Sequence, residues 1–136
     1  MSTKRKPIRV LLSRSHLDSH QRGLITVAAA LRDAGMEVIY TKFYYPEEVT
    51  QTAMEEDVDV VGLSFLAWGQ MEYTPRVIKG LREKGLNDVM VLVGGVILDS
   101  QIPELLKMGV SRVFGAGSST REIAEYIRAH VGERVG

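Results

Sequence analysis

Cysteine is absent from the 136 residues, which removes disulfide scaffolds, thiolate metal sites and thiol nucleophiles at the outset. Neither sign of charge is in excess. Seventeen Lys and Arg stand against 17 Asp and Glu, a balance that argues against nucleic acid or an anionic membrane as the main partner. No apolar run approaches the roughly 20 residues of a membrane span. The basic start Met1-Ser2-Thr3-Lys4-Arg5-Lys6 is not followed by a signal-type apolar core, because the next apolar run carries Arg9 and ends at Ser13. The expectation is a cytoplasmic protein with a basic tail over residues 1–7 and one domain over 8–136, long enough to bury a core without a structural metal.

Other absences narrow the function. A dinucleotide fold requires Gly-x-Gly-x-x-Gly after the first strand, and the chain has none. A phospho-receiver domain requires an acceptor aspartate at the end of the third strand, where this chain reads Leu63-Ser64. A hydrolase-type Ser-His-Asp set is not apparent, and no Asn-Gly hairpin signal, repeat or low-complexity segment interrupts the chain.

What is present is an alternation of short apolar runs with amphipathic stretches. Ile8 to Leu12 reads as a first strand. Leu24, Val27, Ala28 and Leu31 then fall at helical spacing, with Gly35 as terminator. Met36 to Tyr40 is a second strand, and Pro46 opens a helix with Glu47 and Glu48 in its first turn and Val49 and Ala53 inward. Val58 to Leu63 is a third strand, apolar on both parities as buried parallel strands are. Thr74-Pro75 reads as the cap and first position of a helix carrying Val77, Ile78 and Leu81. Val89 to Val93 is a fourth strand stopped by Gly94-Gly95. A short helix over Pro103 to Met108, a brief strand at Arg112 to Phe114 and a last helix capped by Thr120 complete the pattern. Five such alternations predict an α/β fold, a flavodoxin-like doubly wound parallel five-stranded sheet with its switch point between the first and third strands.

Residues unusual for plain connectors gather at the predicted strand ends. Asp18-Ser19-His20-Gln21-Arg22-Gly23 spells Asp-x-His-x-x-Gly between the first strand and first helix. A histidine two residues beyond a carboxylate can offer one ring nitrogen to a metal while the other donates to the carboxylate, which fixes its tautomer. The same spacing also serves a loop histidine bonded to Asp18 for local structure. His16, Asp18 and His20 could together chelate a divalent ion, but an alternating loop triplet is a poor closed zinc site. Ser64-Phe65-Leu66 and Gly94-Gly95 follow the third and fourth strands. Gly115-Ala116-Gly117-Ser118-Ser119-Thr120 follows the fifth, where small residues at a helix start let backbone amides approach a phosphate or polar tail.

Asp-x-His-x-x-Gly, Ser-x-Leu and Gly-Gly, in that order and on those strand ends, resemble the cobalamin-binding domain of adenosylcobalamin-dependent mutases and cobalamin-dependent methyltransferases. Ala30-Leu31-Arg32-Asp33-Ala34-Gly35, Glu56 to Ser64 and Met108-Gly109-Val110 are most similar to the acyl-CoA mutase branch, to which methylmalonyl-CoA and 2-hydroxyisobutyryl-CoA mutases belong. The resemblance implies that His20 is the lower axial ligand of cobalt, displacing the cofactor's own dimethylbenzimidazole, with Asp18 as its hydrogen-bond acceptor. It implies Arg14 as the third member of that relay, where the family commonly has lysine, so a planar fork replaces a point charge. The displaced nucleotide tail would enter a slot lined by Gly23, Ser64, Leu66, Gly94 and Gly95. Cofactor contacts are further implied for Ser19, Gln21, Arg22, Phe114, Gly115, Gly117 and Ser118. Ser19 stands where these mutases commonly have glycine, Gln21 where they often have aspartate, and Ala67-Trp68-Gly69 where smaller, polar residues are usual.

The implied function is the small subunit of an acyl-CoA mutase carrying adenosylcobalamin and performing a radical carbon-skeleton rearrangement. The acyl-CoA site of this family lies in a separate barrel, so the resemblance implies a large partner subunit and no activity alone. A methyltransferase corrinoid module, which usually carries a helical cap that does not precede Ile8, and a non-catalytic carrier or sensor remain as alternatives.

Overall fold

The computed structural model describes residues 7–16, 21–66, 68–115 and 117–131. Five parallel strands, β1 (Arg9–Ser15), β2 (Glu37–Phe43), β3 (Val60–Leu66), β4 (Met90–Val96) and β5 (Arg112–Gly115), form one sheet in the order β2-β1-β3-β4-β5. Helices α1 (Gln21–Asp33), α2 (Pro46–Glu55), α3 (Gln70–Glu83), α4 (Ile102–Met108) and α5 (Thr120–Val131) make the crossovers. This is the flavodoxin-like order, in which the crossovers from β1 and β3 leave toward opposite faces and open a crevice at the carboxyl ends of those strands.

Strand parity divides the core into two layers, because successive side chains of a strand point to opposite faces. Leu11, Val61, Leu63, Phe65, Val91 and Val93 face α2, α3 and α4, where Val49, Val77, Leu81 and Leu105 meet them. Val10, Leu12, Val60, Leu92 and Phe114 face α1 and α5, where Ala28, Leu31, Ala124 and Ile127 close the second layer. Both edges of the helical spacing read from the sequence are used: Val49 and Ala53 are buried, as are Val77, Ile78 and Leu81. α2 opens on Pro46 with Glu47 and Glu48 in its first turn. The Glu47 carboxyl is held below the usual carboxylate range by a backbone hydrogen bond and by Arg76, whose guanidinium lies 3.0 Å away.

Several boundaries differ from the sequence expectation. β3 begins at Val60 and runs through Ser64, Phe65 and Leu66, while β4 continues through Gly94 and Gly95 to Val96. Pairing is the reason: Ser64, Phe65 and Leu66 are in register with Gly94, Gly95 and Val96, so the ladder keeps their backbone groups satisfied. Gly95 holds φ +106°, and a Cβ there would strike the Phe65 carbonyl oxygen; only glycine fits this crossing of strands. α1 begins at Gln21, three residues before the first apolar position Leu24.

α3 starts at Gln70, so Pro75 lies inside the helix rather than at its first position. Gly69, at φ +90°, closes the preceding turn, and its carbonyl accepts from Glu72 and Tyr73 at 3.1 and 2.8 Å. That turn supplies the start that Thr74-Pro75 mimics in sequence. Thr74 is instead a buried helical position.

At the start of α5 the cap is Ser119, not Thr120. Its Oγ accepts the Glu122 amide at 3.0 Å, and Glu122 Oε1 accepts the Ser119 amide at 3.4 Å. This reciprocal pair is a capping box. Ser119→Ala is expected to lower stability by about 1 kcal/mol in urea unfolding, with the denaturant slope unchanged.

Candidate functional site

The sheet register brings residues far apart in sequence into one transverse row. Arg14 pairs with Lys42 on one side and Ser64 on the other, Ser64 pairs with Gly94, and Gly94 pairs with Phe114. All five share the parity of Val10 and Leu12, hence the face toward α1 and α5. The row lies toward the carboxyl end of the sheet, and of its members Phe114 also belongs to the packed apolar layer.

Above it, between the sheet and helices α1 and α5, is a cavity of about 630 Å³, within the roughly 300–1,000 Å³ usual for small-molecule sites. Gly23, Ser64, Leu66, Gly94 and Gly95, the five residues implied for a slot, all line it. Phe114, Gly115, Gly117 and Ser118 line its β5–α5 side. Among the described residues, a Cβ placed on Gly23 or Gly115 would meet no heavy atom within 4 Å, so these two glycines border open volume. At Gly94 a Cβ would come within 3.2 Å of the Phe114 carbonyl oxygen.

The cavity reaches deeper than the motif residues. Leu12, Leu92 and Ile127 form part of its wall, with Val27 and Ile123 from the two helices. Sequence periodicity marks the helix positions only as inward-facing. Phe114 is braced from outside, with the Arg112 guanidinium 4.7 Å from its ring and Tyr126 edge-on at 5.8 Å. Arg112 is itself paired with Glu122 at 3.2 Å. An apolar interior, a hydroxyl at Ser64 and a small-residue mouth suit a flat heterocycle with a polar tail better than a compact charged ligand.

Asp18, Ser19 and His20 lie outside the described residues, between the end of β1 and the start of α1. Gln21 and Arg22 fall in the first turn of α1. Arg14 is on β1 beside Ser64 but does not line the cavity. His130 is exposed and stacks on Tyr126 with ring centroids 3.9 Å apart. Trp68 is exposed, edge-on to Tyr73 at 6.5 Å, and Phe43 is core, packed edge-on against Phe65 and Tyr73. Among the described residues no helix is long and apolar enough to cross a membrane.

Comparison with known proteins agrees with this geometry. The B12 binding domain family matches residues 8–125. The chain is 45% identical over 129 residues to the 2-hydroxyisobutanoyl-CoA mutase small subunit of Aquincola tertiaricarbonis, covering 94% of this chain and 95% of that one. It is 46% identical over 125 residues to the pivalyl-CoA mutase small subunit of Xanthobacter autotrophicus, covering 91% and 84%. Human mitochondrial methylmalonyl-CoA mutase is 40% identical over 115 residues, which are 84% of this chain and 15% of that protein.

Among solved structures, a cobalamin-binding protein from Desulfitobacterium hafniense superposes with a TM-score of 0.77 at 18% identity, over 91% of this chain and 59% of that one. The receiver domain of NarL from Mycobacterium tuberculosis does so at 0.73 and 17%, over 94% and 98%. At such identities the likeness is one of fold, and Ser64 within β3 keeps this chain apart from phospho-acceptor chemistry. Domain match, full-length identity and cavity together show that the chain belongs to the B12-binding domain family and, within it, to the small subunits of CoA mutases.

Proposed function

We propose that this subunit holds adenosylcobalamin for a mutase that rearranges the carbon skeleton of a short branched acyl-CoA, of 2-hydroxyisobutyryl-CoA or methylmalonyl-CoA type. The observation that carries the reading is the apolar cavity of about 630 Å³ opening at the carboxyl edge of the sheet. A nucleotide tail fits such a slot: the wall is aliphatic, Gly23 and Gly115 leave their volume open, and the Ser64 hydroxyl stands among the lining residues.

The roles of the chain's own groups follow from their chemistry. His20 would be the residue to offer an imidazole nitrogen to cobalt, with Asp18 as the acceptor for its other ring N–H, a pairing that raises the basicity of a ligating nitrogen. Arg14, near the end of β1, would complete that relay as its cationic member. Leu12, Leu92 and Ile127 exclude water from the tail, while Gly117 and Ser118 leave the start of α5 accessible to its polar portion. When bound, the cofactor supplies homolytic cobalt–carbon chemistry, the source of the radical that such rearrangements require. The acyl-CoA is bound by a separate large, barrel-containing subunit, and the assembly works in the cytoplasm.

The test is reconstitution. The purified chain, its large subunit and adenosylcobalamin are combined with 2-hydroxyisobutyryl-, methylmalonyl- and pivalyl-CoA, and products are read by mass spectrometry. An isomer of one substrate is expected only when all three components are present. Tight cobalamin binding with no isomer from any acyl-CoA would defeat the mutase reading in favour of a carrier.

A further inference from the structure

β3 and β4 stop pairing at Leu66 and Val96, and both residues line the cavity. A second tie joins the two segments beyond the ladder. Gln70, the first residue of α3, donates through Nε2 to Gln101 Oε1, across 31 positions of sequence. Gln101 ends the 3-10 turn Asp99–Gln101 that leads into α4. This wall of the cavity is thus held by backbone hydrogen bonds up to Leu66 and Val96, and by one side-chain bond after them.

The pair is costly in stability. Gln70 is 2% exposed, and among the described residues its Oε1 is buried with no hydrogen-bond partner, as is Thr74 Oγ1 one turn further along α3. A buried amide oxygen without a partner gives up its hydration and receives nothing in return. Methionine would fill a similar volume without that loss, so packing does not account for glutamine at position 70. What glutamine adds is the donor that reaches Gln101.

Neither glutamine lines the cavity, because α3 and α4 pack on the opposite face of the sheet. We infer that Gln70 is a positioning residue: its bond to Gln101 holds the ends of β3 and β4 at the separation in which Leu66 and Val96 form a wall for cobalamin. The inference rests on the reading that this cavity holds the cofactor.

The strand ends are sensitive to such a tie. Gly95 sits at φ +106° against the Phe65 carbonyl, a local departure from regular strand geometry just before the ladder ends. Leu66 and Val96, at 37% and 43% exposure, are held less by packing than Leu63 and Val93, which belong to the core. Ordering a wall at the moment of binding costs affinity, and a bond made beforehand lowers that cost.

The experiment titrates the complex of this chain and saturating large subunit with cobalamin, and separately unfolds the ligand-free chain in urea. In the double variant Gln70→Met/Gln101→Met the urea midpoint is expected to stay or rise, because replacing both partners of a buried hydrogen bond by apolar groups of similar shape is nearly neutral. Its cobalamin dissociation constant is expected to rise roughly two- to tenfold, the effect of one hydrogen bond. Gln101→Glu keeps an acceptor for the Gln70 amide and is expected to bind cobalamin as the unaltered complex does. Affinity that moves without stability, and returns with the acceptor, is what a purely structural contact would not produce.

A double variant that binds cobalamin as tightly as the unaltered complex overturns the inference and leaves the cavity assignment standing. So does a loss of affinity that follows a lowered urea midpoint, or a Gln101→Glu complex as weak as the double variant. An unaltered complex that does not bind cobalamin removes the reading of the cavity itself, and the inference with it.

Discussion

Replacing His20 by alanine is expected to lower turnover of the assembled mutase by at least about 100-fold, the upper end of what losing a mere partner of a metal ligand costs. The imidazole is proposed as the protein's only bond to cobalt, so its removal returns the lower axial position to the cofactor's base or to water. The fold should not respond. Among the described residues, both packed layers are built from β1 to β5 and the inward faces of the helices. The expected result is therefore a split, read by electron paramagnetic resonance with cob(II)alamin whose dimethylbenzimidazole carries nitrogen-15: loss of unlabelled-nitrogen splitting and of turnover, with a thermal midpoint unchanged. Added imidazole should recover part of the histidine-type signal, because the cavity that receives the displaced base is intact. Turnover within a few-fold of the unaltered protein would show that cobalt is ligated otherwise, and a lost fold would show that the loop serves structure first.

Much of the architecture was legible because it rests on local pattern. Runs apolar on both parities, such as Val58 to Leu63, mark strands covered on both faces, and the helix-spaced residues between them mark the crossovers. Where the pattern misled, a stronger local device competed. Thr74-Pro75 is a good helix start in isolation, but the left-handed turn at Gly69 begins α3 four residues before Thr74. Ser119 and Thr120 are both able to cap. The spacing Ser119-x-x-Glu122 decides between them, since only from Ser119 does the glutamate fall where it can reach back.

The candidate site was legible in its motifs and illegible in its depth. Ser64 and Gly94 stand out because such residues at strand ends are odd as connectors, and Gly23 because it closes the Asp-x-His-x-x-Gly motif. Leu24, Val27, Ile123 and Ile127 do not, because helical spacing says that a side chain points inward without saying whether it meets protein or empty volume. The row joining Lys42, Arg14, Ser64, Gly94 and Phe114 was beyond reach for another reason. It depends on the relative register of five parallel strands, which the crossovers and the packed layers set together and no short segment encodes.

Gly23 separates binding from folding more cleanly than any other lining position. It is the third residue of α1, where glycine costs less than the roughly 0.8–1.0 kcal/mol relative to alanine of a helix interior, and among the described residues a Cβ there meets nothing within 4 Å. Gly23→Leu is thus expected to raise the stability of the ligand-free chain by up to roughly 0.5 kcal/mol, since leucine is nearly as good a helix former as alanine. Gly23 lines the cavity, so the added side chain is expected to enter it. If that volume receives the nucleotide tail, the added leucine must be accommodated at an overpacking cost of about 1–3 kcal/mol, which weakens cobalamin binding roughly 5- to 150-fold. The two effects have opposite signs and are measured separately, by urea unfolding of the ligand-free chain and by titration with cobalamin in the presence of the large subunit. A variant that is more stable and binds cobalamin as tightly as before would show that the cofactor does not use this side of the cavity. A variant that is less stable would show that the open volume beside Gly23 closes in solution. Only a gain in stability together with a loss of affinity fits a helix that keeps glycine at a conformational cost to leave room for a ligand.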